Sequence, residues 1–336
     1  MRIAVTRQES FSDFLSPTEQ PWKAFFDRFS KDGHDLVSLT DDPDLLIFMN
    51  HHRKFGLRAV KASRRALKVL VLWESIVTRP NNFRRGNLNR YELIFTPSNK
   101  WASGINVFPF NWPQGKQVVT RVSEADFKAR DSRVAVFQNN KISFVEGEMY
   151  TLRRELIELF GEEIVVYGTG WNSAATTVKG LLGAMKHYAG LNNRMNLSSL
   201  GNLWIKPKNY KGFAPDKSRE LEKFQFTIVV ENSLDYVSEK LIEALWAGCC
   251  VIYVGPPLRE FGIPEVAIEC PPDSRIIRQR FEAAQKDYSL VKQIQANAQN
   301  YLGSKQFKET INNFVLEKLA ADIMHQIKLT MADNQS

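Results

Sequence analysis

The residues best suited to chemistry lie between Phe226 and Gly255. FTIVVEN (226–232) reads as a strand. Val237, Leu241, Ala244, Leu245 and Gly248 then fall at helical spacing, and VIYVG (251–255) begins a second strand. Lys240 stands in the first turn or so of that helix, at the end where the macrodipole is already positive. A cation there makes sense if an anion shares the place. Free N–H groups plus a lysine at the carboxyl end of a parallel strand form a phosphate site, and such crevices are where open α/β sheets bind nucleotides. Glu239 beside it offers two oxygens to the two hydroxyls of a ribose. Ser233 and Asp235 offer N-cap oxygens, and Gly248 is placed to stop the helix. Local physics leaves an alternative open, that Glu239 and Lys240 are solvated helix residues, because strand–helix turns far outnumber nucleotide sites.

The elements that would carry such a site are written along the whole chain. Apolar runs occur at RIAV near residue 2, LLIFMN (45–50), VLVLWE (69–74), ELIFTP (92–97), RVAVFQ (133–138), IVVYG (164–168), FTIVVEN and VIYVG. Each is continuous rather than alternating, as strands of a parallel sheet are when both faces are buried. Helical patterns lie between many of them, at 21–30, 54–66, 149–160 and 236–247. This alternation predicts an α/β protein with parallel sheets. A length of 336 residues suggests two domains. The polar stretch 121–133 (RVSEADFKARDSR) marks a boundary, giving domains at 1–128 and 129–310 with a terminal helix and tail at 311–336. Residues 187–216, rich in Asn, Gly, Lys and Ser, read as a loop with short helices.

The composition, 43% hydrophobic and 24% charged, excludes a disordered or fibrous chain. A net charge of +8 suits nucleic acid, an anionic membrane surface or a small phosphorylated ligand, and equally a mildly basic surface with no specific partner. The densest positive stretch, 53–65 (RKFGLRAVKASRR), fits an anionic acceptor, a membrane surface or the solvated face of a helix. It lacks the basic–aromatic interleaving of nucleic-acid binders, so no nucleic-acid partner is expected. Cys249, Cys250 and Cys270 are odd in number and two are adjacent. That suits neither a disulfide framework nor a zinc site, and predicts small buried hydrophobes in a reducing compartment. The N-terminus reads as a first strand rather than a secretory signal, and no window reaches the roughly 18 apolar residues of a membrane helix. The expectation is a cytoplasmic protein, at most peripheral at the inner face of a membrane.

The run ENSLDYVSEKLIEALWAGCCVIYVGPP resembles the signature of glycosyltransferase family 10, the α-1,3/4-fucosyltransferases. Glu231, Asn232, Ser233, Tyr236, Val237, Glu239, Lys240, Gly248, Ile252, Tyr253 and Gly255 match it. Ser238 replaces the family's usual threonine and keeps the hydroxyl, while Val251 and Val254 stand where proline and tryptophan are common. Upstream, YTLRRELIELFGEEIVVYGTGWN (150–172) is similar to the family's helix with a phosphate-binding arginine, which aligns with Arg153; the neighbouring Arg154 stays open as the alternative. YKGFAPDK (210–217) resembles the stretch before the signature, with Lys217 as a donor contact. In the N-terminal half, VLVLWES ends near Glu74 and TRPNNF comes next, which looks more loosely like the family's glutamate before Pro-x-Asn.

That resemblance, to a soluble bacterial-type member, covers 133–256 well and 68–95 loosely. It implies a GT-B-like architecture, two Rossmann-type domains facing across a cleft, the first binding the acceptor and the second the donor. It implies inverting transfer of L-fucose from GDP-fucose to a hydroxyl of a glycan, such as a bacterial lipopolysaccharide, with Glu74 as general base. A loop carboxylate paired with Arg79, Arg84, Arg85 or Arg90 is the alternative for Glu74. Arg153, Lys217, Glu231, Asn232, Tyr236, Glu239 and Lys240 would form the donor side, with no metal and no cofactor beyond the donor. His51 and His52 would line the acceptor side or lie in a solvated loop. DDPD (41–44) contains the Asp-x-Asp of a different glycosyltransferase architecture, but it precedes a strand and reads as a turn. Two other functions stay open: a transferase of the same fold using another nucleotide sugar, and an inactive relative that binds glycans or nucleotides.

Overall fold

The computed structural model describes residues 1–6, 23–51, 65–100, 106–112, 122–172, 174–188, 200–310 and 314–333. His52, the basic stretch as far as residue 64 and nearly all of the helix expected over 54–66 lie outside the described residues. The chain divides into two compact units, Met1–Lys116 with Lys308–Ser336, and Gln117–Phe307.

The first unit holds β1 (Arg2–Thr6), β2 (Asp35–Leu36), β3 (Leu45–Met49), β4 (Leu67–Val71), β5 (Leu93–Thr96) and β6 (Val107–Pro109). They form one parallel sheet in the order β2-β1-β3-β4-β5-β6. The second unit holds β7 (Asp131–Phe137), β8 (Ile164–Tyr167), β9 (Asn209–Gly212), β10 (Phe224–Val230), β11 (Cys250–Val254) and β12 (Ile268–Glu269). These form a second parallel sheet in the order β12-β11-β10-β7-β8-β9. The eight apolar runs of the sequence are the eight inner strands, buried because helices cover both faces of such a sheet. The four strands the pattern misses, β2, β6, β9 and β12, are the four sheet edges. They are two to four residues long and partly exposed, so no continuous apolar run marks them. One of them, β9, lies inside the stretch expected to be loop.

Two boundaries differ from the sequence expectation. The helix Glu124–Ala129, capped by Ser123, inserts Phe127 into the second unit's core beside Phe226. The polar stretch is therefore the surface of a helix belonging to that unit, not a linker. The terminal helix Phe314–Asp333 packs in the first unit, where Leu316, Ala320, Ile323 and Ile327 meet Phe25 and Phe29 of the helix Lys23–Lys31. Those positions recur at three- and four-residue spacing, which makes one apolar face. Each fully buried side chain of this size contributes roughly 1.5–3 kcal/mol.

Strand order locates the place where a ligand belongs. From β7 the chain steps out to β8 and β9 on one side, then crosses back and runs through β10, β11 and β12 on the other. The loops leaving β7 and β10 therefore diverge and open a crevice at the carboxyl ends of these strands, the switch point of a doubly wound sheet. The first sheet has the same reversal between β1 and β3.

Candidate functional site

At the second switch point β7 ends at Phe137, just before Gln138, and β10 ends at Val230, just before Glu231. The loop 231–238 then enters the helix Glu239–Trp246. Glu231 is fully buried and turns back on that loop. Its carboxylate accepts from the Ser238 amide at 2.9 Å and from the Ser238 hydroxyl at 2.6 Å. The loop bends and turns at 232–235, and this clamp closes its end at Ser238 back on its start and so sets where the helix begins. Ser238 is the N-cap, whereas the expected caps Ser233 and Asp235 hydrogen-bond to each other. The expected stop holds: Gly248 comes after the last turn at φ +71°, where a left-handed residue is needed.

Lys240 points its ammonium into this clamp. Nζ donates to Ser238 Oγ at 2.8 Å and lies 3.5 Å from Glu231 and 3.8 Å from Glu239. Burial alone would pull its pKa down; Glu239 and Glu231 more than reverse that, so Lys240 sits above its ordinary value and stays charged. Glu239 is also subject to burial, which raises a carboxyl, but Lys240 and Lys217 outweigh it and hold Glu239 below the usual range. Its side chain is 38% exposed, so it faces outward from the clamp.

Arg153 reaches the same strand ends from the helix Tyr150–Phe160. One Nη donates to the Val230 carbonyl at 2.6 Å and to Asn232 Oδ1 at 2.8 Å. Asn232 donates in turn to the Tyr236 hydroxyl at 2.6 Å. The guanidinium lies over the Tyr150 ring at 4.8 Å. Burial lowers its pKa, but an arginine keeps its proton. Arg153 Nε is buried and without a hydrogen-bond partner among the described residues. Arg154 does other work. It donates to the carbonyls of Gly201 and Lys141 and to Thr151, and so fastens two loops. Of the two arginines, only Arg153 stands at the end of β10.

A shallow pocket opens beside these groups, lined among others by Phe137, Gln138, Lys217, Leu221, Lys240 and Ala244. Lys217 is 2.5 Å from Glu243 on the 239–246 helix. The sequence reading missed Gln138. It is buried, its Nε2 has no partner among the described residues, and it lines the pocket. Only its place at the end of a central strand could have marked it. The Gly168-Thr169-Gly170 turn after β8 closes on the same loop. A Cβ at Gly168, where φ is +132°, would meet the Gln138 carbonyl oxygen at 2.1 Å, and Trp171 donates to that oxygen at 2.8 Å.

The first unit holds the other expected residues. Asn50 stands just after β3 at φ +64°, and its Oδ1 accepts from the amides of Trp73 and Glu74 and from Asn82 Nδ2 at 2.8–3.2 Å. This side chain ties the end of β3 to the residues just beyond β4, and so fixes the backbone of Glu74, which is half-buried. Asn82 also accepts from the His51 amide at 3.0 Å. The His51 ring is buried, 2.7 Å from the Tyr91 hydroxyl. His51 is therefore a buried group packed against Asn82 and Tyr91, not a solvated loop residue. Next to Glu74, Trp73 stacks on Phe110 and tilts against Trp112, with ring centroids 5.9 and 4.5 Å apart. DDPD is a turn: Asp41 accepts from the Ser38 amide and Asp44 from the Arg2 amide. All three cysteines are buried, and burial pushes the Cys249 and Cys250 thiols up to about 12. Among the described residues no group of three or more His, Cys, Asp or Glu side chains is placed to hold a metal ion. No described helix is long and apolar enough to cross a membrane.

No family model matches the chain, and no curated protein matches it in sequence. Solved structures do resemble it. The HepE protein of Anabaena, in complex with UDP-glucose, is similar at a TM-score of 0.56 and 13% identity, over 97% of this chain and 100% of that one. A glycosyltransferase from Rickettsia africae is similar at 0.54 and 9%, over 97% and 98%. An α1,3-fucosyltransferase is similar at 0.55 and 11%, over 88% and 80%. Two parallel six-stranded sheets with this likeness define the GT-B fold, the fold of these glycosyltransferases. At such identities the likeness is one of fold.

Proposed function

We propose that the chain is an inverting glycosyltransferase that moves L-fucose from GDP-fucose to a hydroxyl of a glycan acceptor, in the manner of family 10. The observation that carries this reading is a pair of cations, buried Arg153 and part-buried Lys240, at the carboxyl end of β10 beside the switch point. Buried charge is costly unless it is paired, and here it stands where a doubly wound sheet receives a nucleotide. In the proposed step the acceptor oxygen attacks the anomeric carbon while the bond to the diphosphate oxygen breaks. The acceptor's proton passes to Glu74. The charge that develops on GDP is offset by Lys240 and by the positive potential of Arg153. Glu239, held ionised, takes the ribose hydroxyls. Glu231, Asn232 and Tyr236 hold these groups in place from inside the fold.

The signature residues from Glu231 to Gly255 support fucose as the sugar, and a similar solved α1,3-fucosyltransferase holds GDP-fucose. A second reading, the same fold with another nucleotide sugar, is favoured by the UDP-glucose complex of the Anabaena protein. Calorimetric titration with GDP, GDP-fucose and UDP-glucose separates the two. GDP and GDP-fucose should bind, and Lys240→Ala should weaken both. Binding of UDP-glucose alone would replace the fucose assignment, and binding of none would favour the inactive relative.

A further inference from the structure

From Ile164 to Pro215 the sequence contains no aspartate or glutamate, yet it has six lysines and arginines. The chain-wide frequency, 37 acids among 336 residues, would place five or six acids there. Among the described residues, the same stretch holds the most exposed apolar side chains of the second unit. The helix Ala174–Tyr188 buries Ala184 and Tyr188 and turns outward Val178, Leu182 and Met185, which are 45%, 62% and 49% exposed. Their spacing of four and three residues puts them on one face of the helix. Before and after the edge strand β9 stand Trp204 and Phe213, 58% and 70% exposed. Lys179, Lys206, Lys208 and Lys211 are exposed among them, Lys208 paired with Glu162 at 3.1 Å. These residues lie in the crossover from β8 to β9, in the edge strand itself and, for Phe213, just after it, so they border one edge of the second sheet.

We infer that this flank docks on an anionic phospholipid surface. An apolar helix face of this kind dips into the headgroup region, tryptophan and phenylalanine anchor at the interface, and lysines draw the surface to acidic lipids. A nucleic acid or a polyanionic glycan would use the lysines but leave the outward leucine, tryptophan and phenylalanine without a role. The basic stretch 53–65 is not needed for this, and the inference does not depend on the transferase reading.

The test is sedimentation of the full chain with vesicles of phosphatidylcholine, alone or mixed with phosphatidylglycerol. The protein should pellet with the mixed vesicles and not with the neutral ones. Leu182→Glu with Trp204→Glu should weaken this about tenfold or more, and added salt should weaken it in the wild type. Phe213→Ser should give a smaller loss in the same direction, and circular dichroism melting should show that each variant folds. Absence of pelleting, equal pelleting with neutral vesicles, or unchanged pelleting of folded variants would overturn the inference. So would light scattering that finds a dimer split by Leu182→Glu with Trp204→Glu, which would give the face to a second copy.

Discussion

The carboxyl ends of the two sheets are finished with different chemistry. In the second unit the strand ends carry charge on charge: Arg153, Lys240 and Lys217 against Glu231, Glu239 and Glu243, with Glu231 wholly out of water. In the first unit the corresponding strand ends are tied by neutral amides, Asn50 and Asn82, with an aromatic group of Trp73, Phe110 and Trp112 and one half-buried carboxylate, Glu74. Fixed cations suit a ligand that is charged and becomes more so as it leaves. On the proposed reading, neutral hydrogen bonds and flat apolar faces suit an uncharged sugar, with Glu74 as the base that receives its proton. The same fold, used twice, would then be fitted to two ligands by the residues at the ends of its strands.

Substitutions on the two sides should therefore fail in different ways. Glu74→Gln should give the largest effect. Turnover should fall by about 10²–10⁴-fold, the range of a lost general base, while calorimetric affinity for GDP-fucose stays unchanged. A variant that loses donor affinity instead would break the comparison. Lys240→Ala should come next. Donor affinity should fall by about a hundredfold, and the full chain should lose roughly 1–3 kcal/mol because buried Glu231 loses one of its two cations while keeping Arg153 and the Ser238 hydrogen bonds. Chemical denaturation reads the second effect without any ligand. If Lys240→Ala binds GDP normally, the charged end is a structural device only.

How much of this was legible in the sequence depends on whether the signal is local. The inner strands were legible because burial on both faces demands continuous apolar runs, and the edge strands were not because they lack that demand. The place of Glu239 and Lys240 at a helix N-terminus was legible because a cation there breaks a local rule. The contacts that support the strand ends were not: Glu231 closing on Ser238 spans seven residues, Arg153 meets Asn232 across 79, and Asn50 meets Asn82 across 32. The same limit hid His51, whose burial depends on Tyr91 40 residues away. The boundary at 128/129 failed for a local reason, since a polar helix surface and a polar linker share a composition and only Phe127 tells them apart.

Two substitutions probe the supports rather than the ligand groups. Gly168→Ala forces a Cβ to within 2.1 Å of the Gln138 carbonyl oxygen at a φ that favours glycine. It should cost about 1–3 kcal/mol, seen as a lower denaturant midpoint, together with weaker donor binding, because the displaced loop carries Gln138. Asn50→Ala removes the acceptor of three donors and should cost a similar amount, about 1–3 kcal/mol. Its activity loss should appear in turnover with donor affinity intact, as expected of the neutral side. Equal losses of donor affinity in both variants would show that the two strand-end sites are not separable.

The smallest effect concerns the pH dependence of the charged side. Glu239 is held below its ordinary value of 4.5, since Lys240 and Lys217 outweigh the cost of burial. A depressed carboxyl stabilises the fold above its unfolded pKa, and that share is lost as pH falls through the folded value. Acid should therefore weaken the wild type below about pH 4.5, and Glu239→Gln should flatten part of that decline. The side chain is 38% exposed, so solvent screening limits the difference to under about 1 kcal/mol. The measurement compares urea midpoints at pH 7 and near pH 3.5 for both proteins. A Glu239→Gln variant that declines as steeply as the wild type would mean that the lysines are balanced by Glu231 and Glu243 alone. Glu239 would then be free to answer to a ribose without disturbing the charge clamp behind it.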